Sequence, residues 1–332
     1  MMGKILVTGA AGFLGGRTAK HFAGLNAGSV IASSRRAGRA NELEESGCTF
    51  VPGDLTDPKF CDFVTKDVQT IIHCAALSSP FGPYEQFYQA NYVATKQLLD
   101  AGKKNGVGKF IFISTPSIYF NYNDRFGVKE DDPLPQKMVN AYAATKLLAE
   151  QYVLEHHSHD IHTIALRPRA IIGAEDTVIF PRVLEAYHRG RLKIVGSGNN
   201  VCDMTCVSNV ILAIKCALKA GEANYGEAYN ITDGNPVDFW QAVNYALKAL
   251  DLEPVEQSVP GFLANAAAFV FEKKAMILKE KKEPVLTRYG VGILSQNFTL
   301  DITKAVTRLQ YQPQMNTFEG INEYISWHLR QA

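Results

Sequence analysis

A chain of 332 residues, 46% hydrophobic and 20% charged with a net charge of +1, can bury a large core and lacks the basic excess of a nucleic-acid binder. No apolar run approaches the roughly 20 residues of a bilayer-spanning helix, and no apolar leader precedes the first strand, so a cytoplasmic setting is expected. The six cysteines (48, 61, 74, 202, 206 and 216) form no Cys-x-x-Cys pair and no zinc spacing, so neither a disulfide framework nor a metal is expected.

Short apolar runs predict strands at 4–8, 29–33, 48–51, 69–73, 109–114, 162–167 and 228–231. Amphipathic stretches between them predict helices near 12–24, 38–46, 58–66, 85–105 and 140–157. That alternation implies parallel strands joined by crossover helices: an α/β fold with a doubly wound parallel sheet of the Rossmann type. Further helices are expected near 179–189, 207–219, 236–250, 261–279 and 317–330. Because 228–231 returns to the sheet, the smaller C-terminal substrate domain is interleaved with the first. Residues 1–170 plus about 203–232 form the nucleotide-side unit, and about 171–202 and 233–332 the substrate side.

The first strand runs into glycines spaced three apart in "ILVTGAAGFLGG" (5–16). At a strand–turn–helix junction, Gly9 makes a tight turn, Gly12 lets a pyrophosphate approach the backbone, and Gly15 lets helix and strand pack closely. The free N–H groups of the following helix, around Phe13 and Leu14, then face the anion. At the end of the second strand an NAD site usually carries a carboxylate for the ribose 2′-hydroxyl. Met1 to Asn41 contain no Asp or Glu; Ser33, Ser34, Arg35 and Arg36 stand there instead, with Arg39 just beyond. Guanidinium groups suit a 2′-phosphate, so NADP is preferred, with NAD possible. Asp54 in "GDLTD", followed by Leu55, is placed to accept from the adenine amino group, whereas Asp57 before Pro58 reads as a helix cap. Ala75 and Ala76 are small where backbone must approach the cofactor.

In "NAYAATKLLAEQYV" (140–153), Tyr142 and Lys146 stand one helical turn apart on one face. An ammonium beside a phenol, with a positive nicotinamide adding to the field, lowers the phenol's pKa toward working pH, which makes Tyr142 a proton donor to an alkoxide or a base toward an alcohol.

Together with the hydroxyl-rich "FISTPS" (112–117), these motifs resemble the extended short-chain dehydrogenase/reductase family, which includes nucleotide-sugar epimerases and 3β-hydroxysteroid dehydrogenases. The resemblance runs through Thr8 to Gly15, Asp54-Leu55, Asn91 in "NYVAT" and Tyr142-x-x-x-Lys146, and covers essentially the whole chain. It implies Tyr142 as acid/base, Lys146 on the nicotinamide ribose, and Thr115 on the substrate oxygen, with Ser114 and Ser117 as alternatives. It also implies Asn91, Pro168 and Ile171 near the cofactor, and a homodimer through 85–105 and 140–157.

Epimerases and dehydratases of this family carry Arg-Asp and then Val-x-Asp-Val where this chain reads "CDMTCVSNV" (202–210). Cys202 replaces the arginine that clamps a diphosphate, and Asn209 replaces the later aspartate. The stretch resembles instead the 3β-hydroxysteroid dehydrogenase branch, with its bacterial reductases of 2-alkyl-3-oxoalkanoates. The implied function is alcohol–ketone interconversion on a hydrophobic 3-oxo or 3-hydroxy substrate, steroid-like or long-chain acyl. Two rivals stand beside it: a nucleotide-sugar epimerase or dehydratase, and a non-catalytic NADP-sensing protein. The apolar stretch 261–279 is expected to pack as core, its alternatives being a pocket lid or peripheral membrane contact. Arg182 is expected in an interhelical ion pair, its alternative being contact with a polar substrate group, and His156, His157 and His159 at a solvated helix end.

Overall fold

The computed structural model describes residues 3–278 and 283–331. Seven strands form one parallel sheet: β1 (Ile5–Thr8), β2 (Val30–Ser34), β3 (Thr49–Pro52), β4 (Thr70–His73), β5 (Lys109–Ile113), β6 (His162–Pro168) and β7 (Glu227–Ile231). Their order is β7-β6-β5-β4-β1-β2-β3, so the winding reverses between β1 and β4. A parallel sheet is covered on both faces, and its strands alternate their burial accordingly. Ile5 and Val7 enter one core layer and Leu6 the other; Ile72 and Ile71 divide in the same way. The first layer is closed by helices α1 (Phe13–Leu25) and Val207–Leu218, the second by α3 (Pro58–Val64) and the long helices after β4 and before β6. A short α2 (Ala40–Glu45) links β2 to β3.

The expected helix 85–105 is one rod in three pieces, α4: Tyr84–Phe87, a π-turn Tyr88–Val93, and Ala94–Lys104. The wide turn falls on Asn91. Helix α5 (Ala141–Glu155) begins at Asn140, whose side chain accepts from the Ala143 amide at 2.8 Å. As expected, Asp57 caps α3 through the Lys59 amide, with Pro58 in the first turn. The histidines after α5 are not all solvated. His156 stacks on Tyr152 at 3.9 Å between ring centroids, and His157 lies half-buried beside His162 and Tyr225.

Helices α7 (Val207–Leu218) and α11 (Thr303–Arg308) pack on the large sheet, whereas α6 (Ile179–His188), α8 (Phe239–Ala249), α9 (Gly261–Ile277), α10 (Arg288–Ser295) and α12 (Thr317–Leu329) build the second, smaller unit. Phe180, Trp240 and Tyr324 anchor its core. A small four-stranded sheet joins Arg125–Val128, Phe298–Leu300, Val201–Cys202 and Val237–Asp238.

Helix α9 departs from the expectation of core packing. It buries Ala264, Ala268 and Ala275, the first two in a small cluster with Val195 and with Val291 of α10. Phe262, Leu263, Val270 and Ile277 are more than half exposed. No described residue of α9 lines the central cleft; α10 takes that place. Residue 279 of the expected helix lies outside the described residues.

Candidate active site

A cleft of about 1170 Å³ opens over the carboxyl ends of the strands, where the sheet order reverses. Every residue that the sequence offers for cofactor or chemistry lines it, except Arg39 and Asn91.

The glycine turn is held from beneath by a buried polar chain. Thr8 Oγ1 meets His73 Nδ1 at 2.7 Å, and His73 Nε2 meets Thr95 Oγ1 at 2.8 Å. Burial, then the Lys146 charge, pushes the imidazole pKa down to about 3, so the ring is neutral and bridges β1, β4 and α4 as a hydrogen-bonding link. Gly9 has φ +69°, and a Cβ there would lie 2.7 Å from the Ala75 nitrogen. Gly12 caps α1 with no side-chain bond, leaving first-turn N–H groups toward the cleft. A Cβ on Gly15 would strike the Gly9 carbonyl oxygen at 2.3 Å.

Arg35 and Arg36 are exposed along the same cleft, next to Ser33 and Ser34. Arg39 is not part of it: its guanidinium is held by Glu42 at 2.7 Å and by Glu175. Asp54 turns one carboxylate oxygen to the Thr56 amide and hydroxyl, both at 2.9 Å. Two hydroxyls at the cleft wall, Ser33 Oγ and Ser114 Oγ, are buried without partners. Orphaned buried hydroxyls beside an uncapped helix start fit a polar, anionic ligand laid across the strand ends. The residues therefore fit a dinucleotide.

Asn91 corrects the expectation carried by the resemblance. It is fully buried, accepts from the Leu77 amide at 2.7 Å, and donates to the Leu77 carbonyl and to Thr145 Oγ1. Three of its four hydrogen-bonding positions are filled inside the protein, so it braces the loop after β4 against α5, and it does not line the cleft.

Tyr142 and Lys146 stand one turn apart on α5. Burial pushes the Tyr142 phenol up to about 12, with the Thr115 hydroxyl pulling it down and Tyr289 adding to the rise. Lys146 is buried; its Nζ donates to the Ile113 carbonyl at 2.6 Å and sits 3.8 Å from the centroid of the Phe112 ring. Burial, opposed by Glu150, brings the ammonium down to about 7. The lysine is thus docked on β5. The cost of burying this cation predicts a pH effect. Between pH about 7 and 10.5 the unfolded chain holds a proton that the folded lysine has released, so stability rises with pH across that window. Lys146→Met is expected to flatten this rise in a series of thermal melts while removing activity.

Thr115 Oγ1 donates to Ser117 Oγ at 3.0 Å, and Ser117 Oγ lies 2.8 Å from the Tyr289 hydroxyl. Tyr289 was not found from the sequence. It enters the cleft from α10, whose start is fixed by Thr287 accepting from the Gly290 amide at 3.0 Å. Behind α5, Arg167 holds Glu150 in a buried pair at 2.9 Å through Nε, pinning the helix to β6. Arg182 is ion-paired as expected, to Glu283 at 3.1 Å.

The far wall is apolar: Ile179, Val183, Met204, Phe239, Ile293 and Leu294. Cys202 faces it, buried, its thiol pushed up to about 12 by burial, so it stays neutral.

Comparison with known proteins supports this picture. Residues 5–232 match the NAD dependent epimerase/dehydratase family. The chain is 34% identical over 331 residues to the uncharacterized protein YbjS of Escherichia coli (strain K12), covering 98% of this chain and 97% of that one. It is 32% identical over 323 residues to the 2-alkyl-3-oxoalkanoate reductase of Stenotrophomonas maltophilia (strain K279a), covering 96% and 97%. A crystal structure of UDP-glucuronic acid 4-epimerase from Bacillus cereus in complex with NAD superposes with a TM-score of 0.75 at 24% identity, over 98% of this chain and 96% of that one. Glycine turn, Tyr–Lys helix and reversed sheet thus occur together in a chain that belongs to the NAD dependent epimerase/dehydratase family, as an enzyme of the extended short-chain dehydrogenase/reductase type.

Proposed function

We propose that this protein is an NADP(H)-preferring oxidoreductase that interconverts a secondary alcohol and a ketone on a hydrophobic 3-oxo or 3-hydroxy substrate. The observation that carries the proposal is the joining of two surfaces in one cleft: the Tyr142, Thr115 and Lys146 constellation, and a wall of aliphatic and aromatic side chains with neutral Cys202 in it.

The glycine turn, Asp54 and the Ser34–Arg36 edge would hold the dinucleotide, and Lys146 its nicotinamide ribose. When bound, the nicotinamide supplies or accepts the hydride. The protein's own part is proton handling and orientation. Because burial keeps the phenol of Tyr142 protonated at neutral pH, it suits donation to a nascent alkoxide, the direction of ketone reduction. Thr115, by turning its proton from Ser117 toward the carbonyl oxygen, polarises the same bond. The apolar wall excludes water and aligns an alkyl chain or ring system.

The cofactor preference has its own expected result. Replacing Arg35 and Arg36 together with alanine weakens NADPH binding by about tenfold or more and leaves NADH nearly unchanged, since only the 2′-phosphate needs a guanidinium. Titration of both cofactors reads this; an unchanged NADPH-to-NADH ratio contradicts it. The function itself is tested by NADPH oxidation against a panel of 3-oxo acyl, steroid and sugar-nucleotide substrates. Turnover confined to hydrophobic ketones supports the proposal. Retained NAD with turnover of a sugar nucleotide favours an epimerase or dehydratase instead.

A further inference from the structure

Helix α9 carries the largest feature that the reaction above does not use. Of the nineteen large hydrophobic side chains exposed on the described residues, nine fall between Phe262 and Val285. Water-facing surfaces scatter such residues singly; gathered on one element they mark a contact surface. The helix is held from within by Ala264, Ala268 and Ala275. At 3.6 residues per turn, Phe262, Ala266, Val270, Lys273 and Ile277 fall on one line along the opposite side. Phe262 is 73% exposed and Ile277 77%, so neither rests on the protein. The charge presented with them is positive. Lys273 and Lys274 are exposed, and the Lys273 ammonium lies 5.6 Å from the centre of the Phe269 ring. Glu272, the one acid of α9, is turned inward and accepts from Arg288 Nε at 2.8 Å.

We propose that the outer face of α9 docks on the surface of an anionic phospholipid bilayer, with the helix lying in the membrane plane. No helix among the described residues is long and apolar enough to cross a membrane, so the contact is interfacial. Phenyl and aliphatic groups enter the boundary between headgroups and acyl chains, while the long lysine stems let their ammonium groups reach back to lipid phosphates. A second copy of the chain matches this face less well. An isologous contact through α9 sets the same surface against itself, two lysines included, with no exposed carboxylate on the helix to meet them. The docked face adjoins the cleft, because α9 packs on α10, whose Tyr289, Gly290, Ile293 and Leu294 line it. A lipophilic substrate dissolved in the bilayer thus enters beside α10. That route rests on the hydrophobic substrate proposed above; the docking itself does not.

The test is flotation of the full-length protein with phosphatidylcholine vesicles, made with or without about one-third phosphatidylglycerol. Binding to the anionic vesicles is expected to be about tenfold tighter than to the neutral ones. Phe262→Ser, Val270→Ser and Ile277→Ser together abolish flotation on both, with melting temperature and NADPH affinity retained. Lys273→Gln with Lys274→Gln removes only the preference for anionic lipid. Protein that stays at the bottom with both vesicles, equal flotation on the two, or flotation that survives the triple variant overturns the proposal. So does self-association in vesicle-free sedimentation that the triple variant abolishes, since the face is then a contact between copies. Flotation as expected without NADPH oxidation by any hydrophobic ketone leaves the docking standing and removes the redox reading instead.

Discussion

Tyr142→Phe is expected to lower turnover by roughly a hundredfold to ten-thousandfold while cofactor affinity stays near that of the parent. The substitution removes one oxygen and little volume from α5, and the phenolic oxygen is the group placed beside Thr115. Lys146→Ala is expected to behave differently, because Lys146 is fixed to the Ile113 carbonyl and lines the cleft where the nicotinamide ribose is proposed to bind. It should damage turnover and cofactor binding together. Steady-state kinetics with fluorescence titration of NADPH separates the two variants. Small, equal effects would contradict the assigned roles.

The second large effect concerns the glycine turn, where two neighbouring substitutions should part company. Gly15→Ala drives a methyl into the Gly9 backbone, 2.3 Å from its carbonyl oxygen and 2.6 Å from its carbonyl carbon. Neither atom is the end of a flexible side chain, so the turn must distort. A melting-temperature drop corresponding to about 1–3 kcal/mol is expected, with loss of cofactor binding. Gly12→Ala meets only the Gly9 oxygen at 3.2 Å, a contact that a small adjustment relieves. Its fold should survive, yet its methyl stands at the uncapped start of α1, where a pyrophosphate would approach. Thermal melts and NADPH titrations on both variants check the contrast. A Gly15→Ala protein that melts and binds like the parent would refute this account of the turn.

The strands of the large sheet were legible because burial on both faces demands continuous apolar runs, as in Ile5–Val7 and Phe110–Ile113. The pairs Ile194–Val195, Val201–Cys202 and Ser258–Val259 were not, since two residues carry no period and their partners lie far away in sequence. The π-turn at Tyr88–Val93 escaped for a related reason: its cause is tertiary, the pull of Asn91 toward Leu77 and Thr145. In α9 the apolar residues surround the helix, so periodicity could not reveal which side faces inward, and alanines took the contact. At the site, the motif residues were legible by type and spacing. Tyr289 was not, because it acquires its meaning from a neighbour supplied by another segment, Ser117. The only local signal for Tyr289 was Thr287, a capping residue three positions before Gly290.

The central claim is that this cleft delivers a hydride to a hydrophobic ketone and Tyr142 the accompanying proton. Its most direct test is turnover of NADPH deuterated on the transferred face of the nicotinamide, with a 2-alkyl-3-oxo acid and mass spectrometry of the product. One deuterium at the new carbinol carbon, together with stoichiometric NADP⁺, is predicted. An unlabelled product, or a rearranged substrate with no net cofactor oxidation, would contradict it.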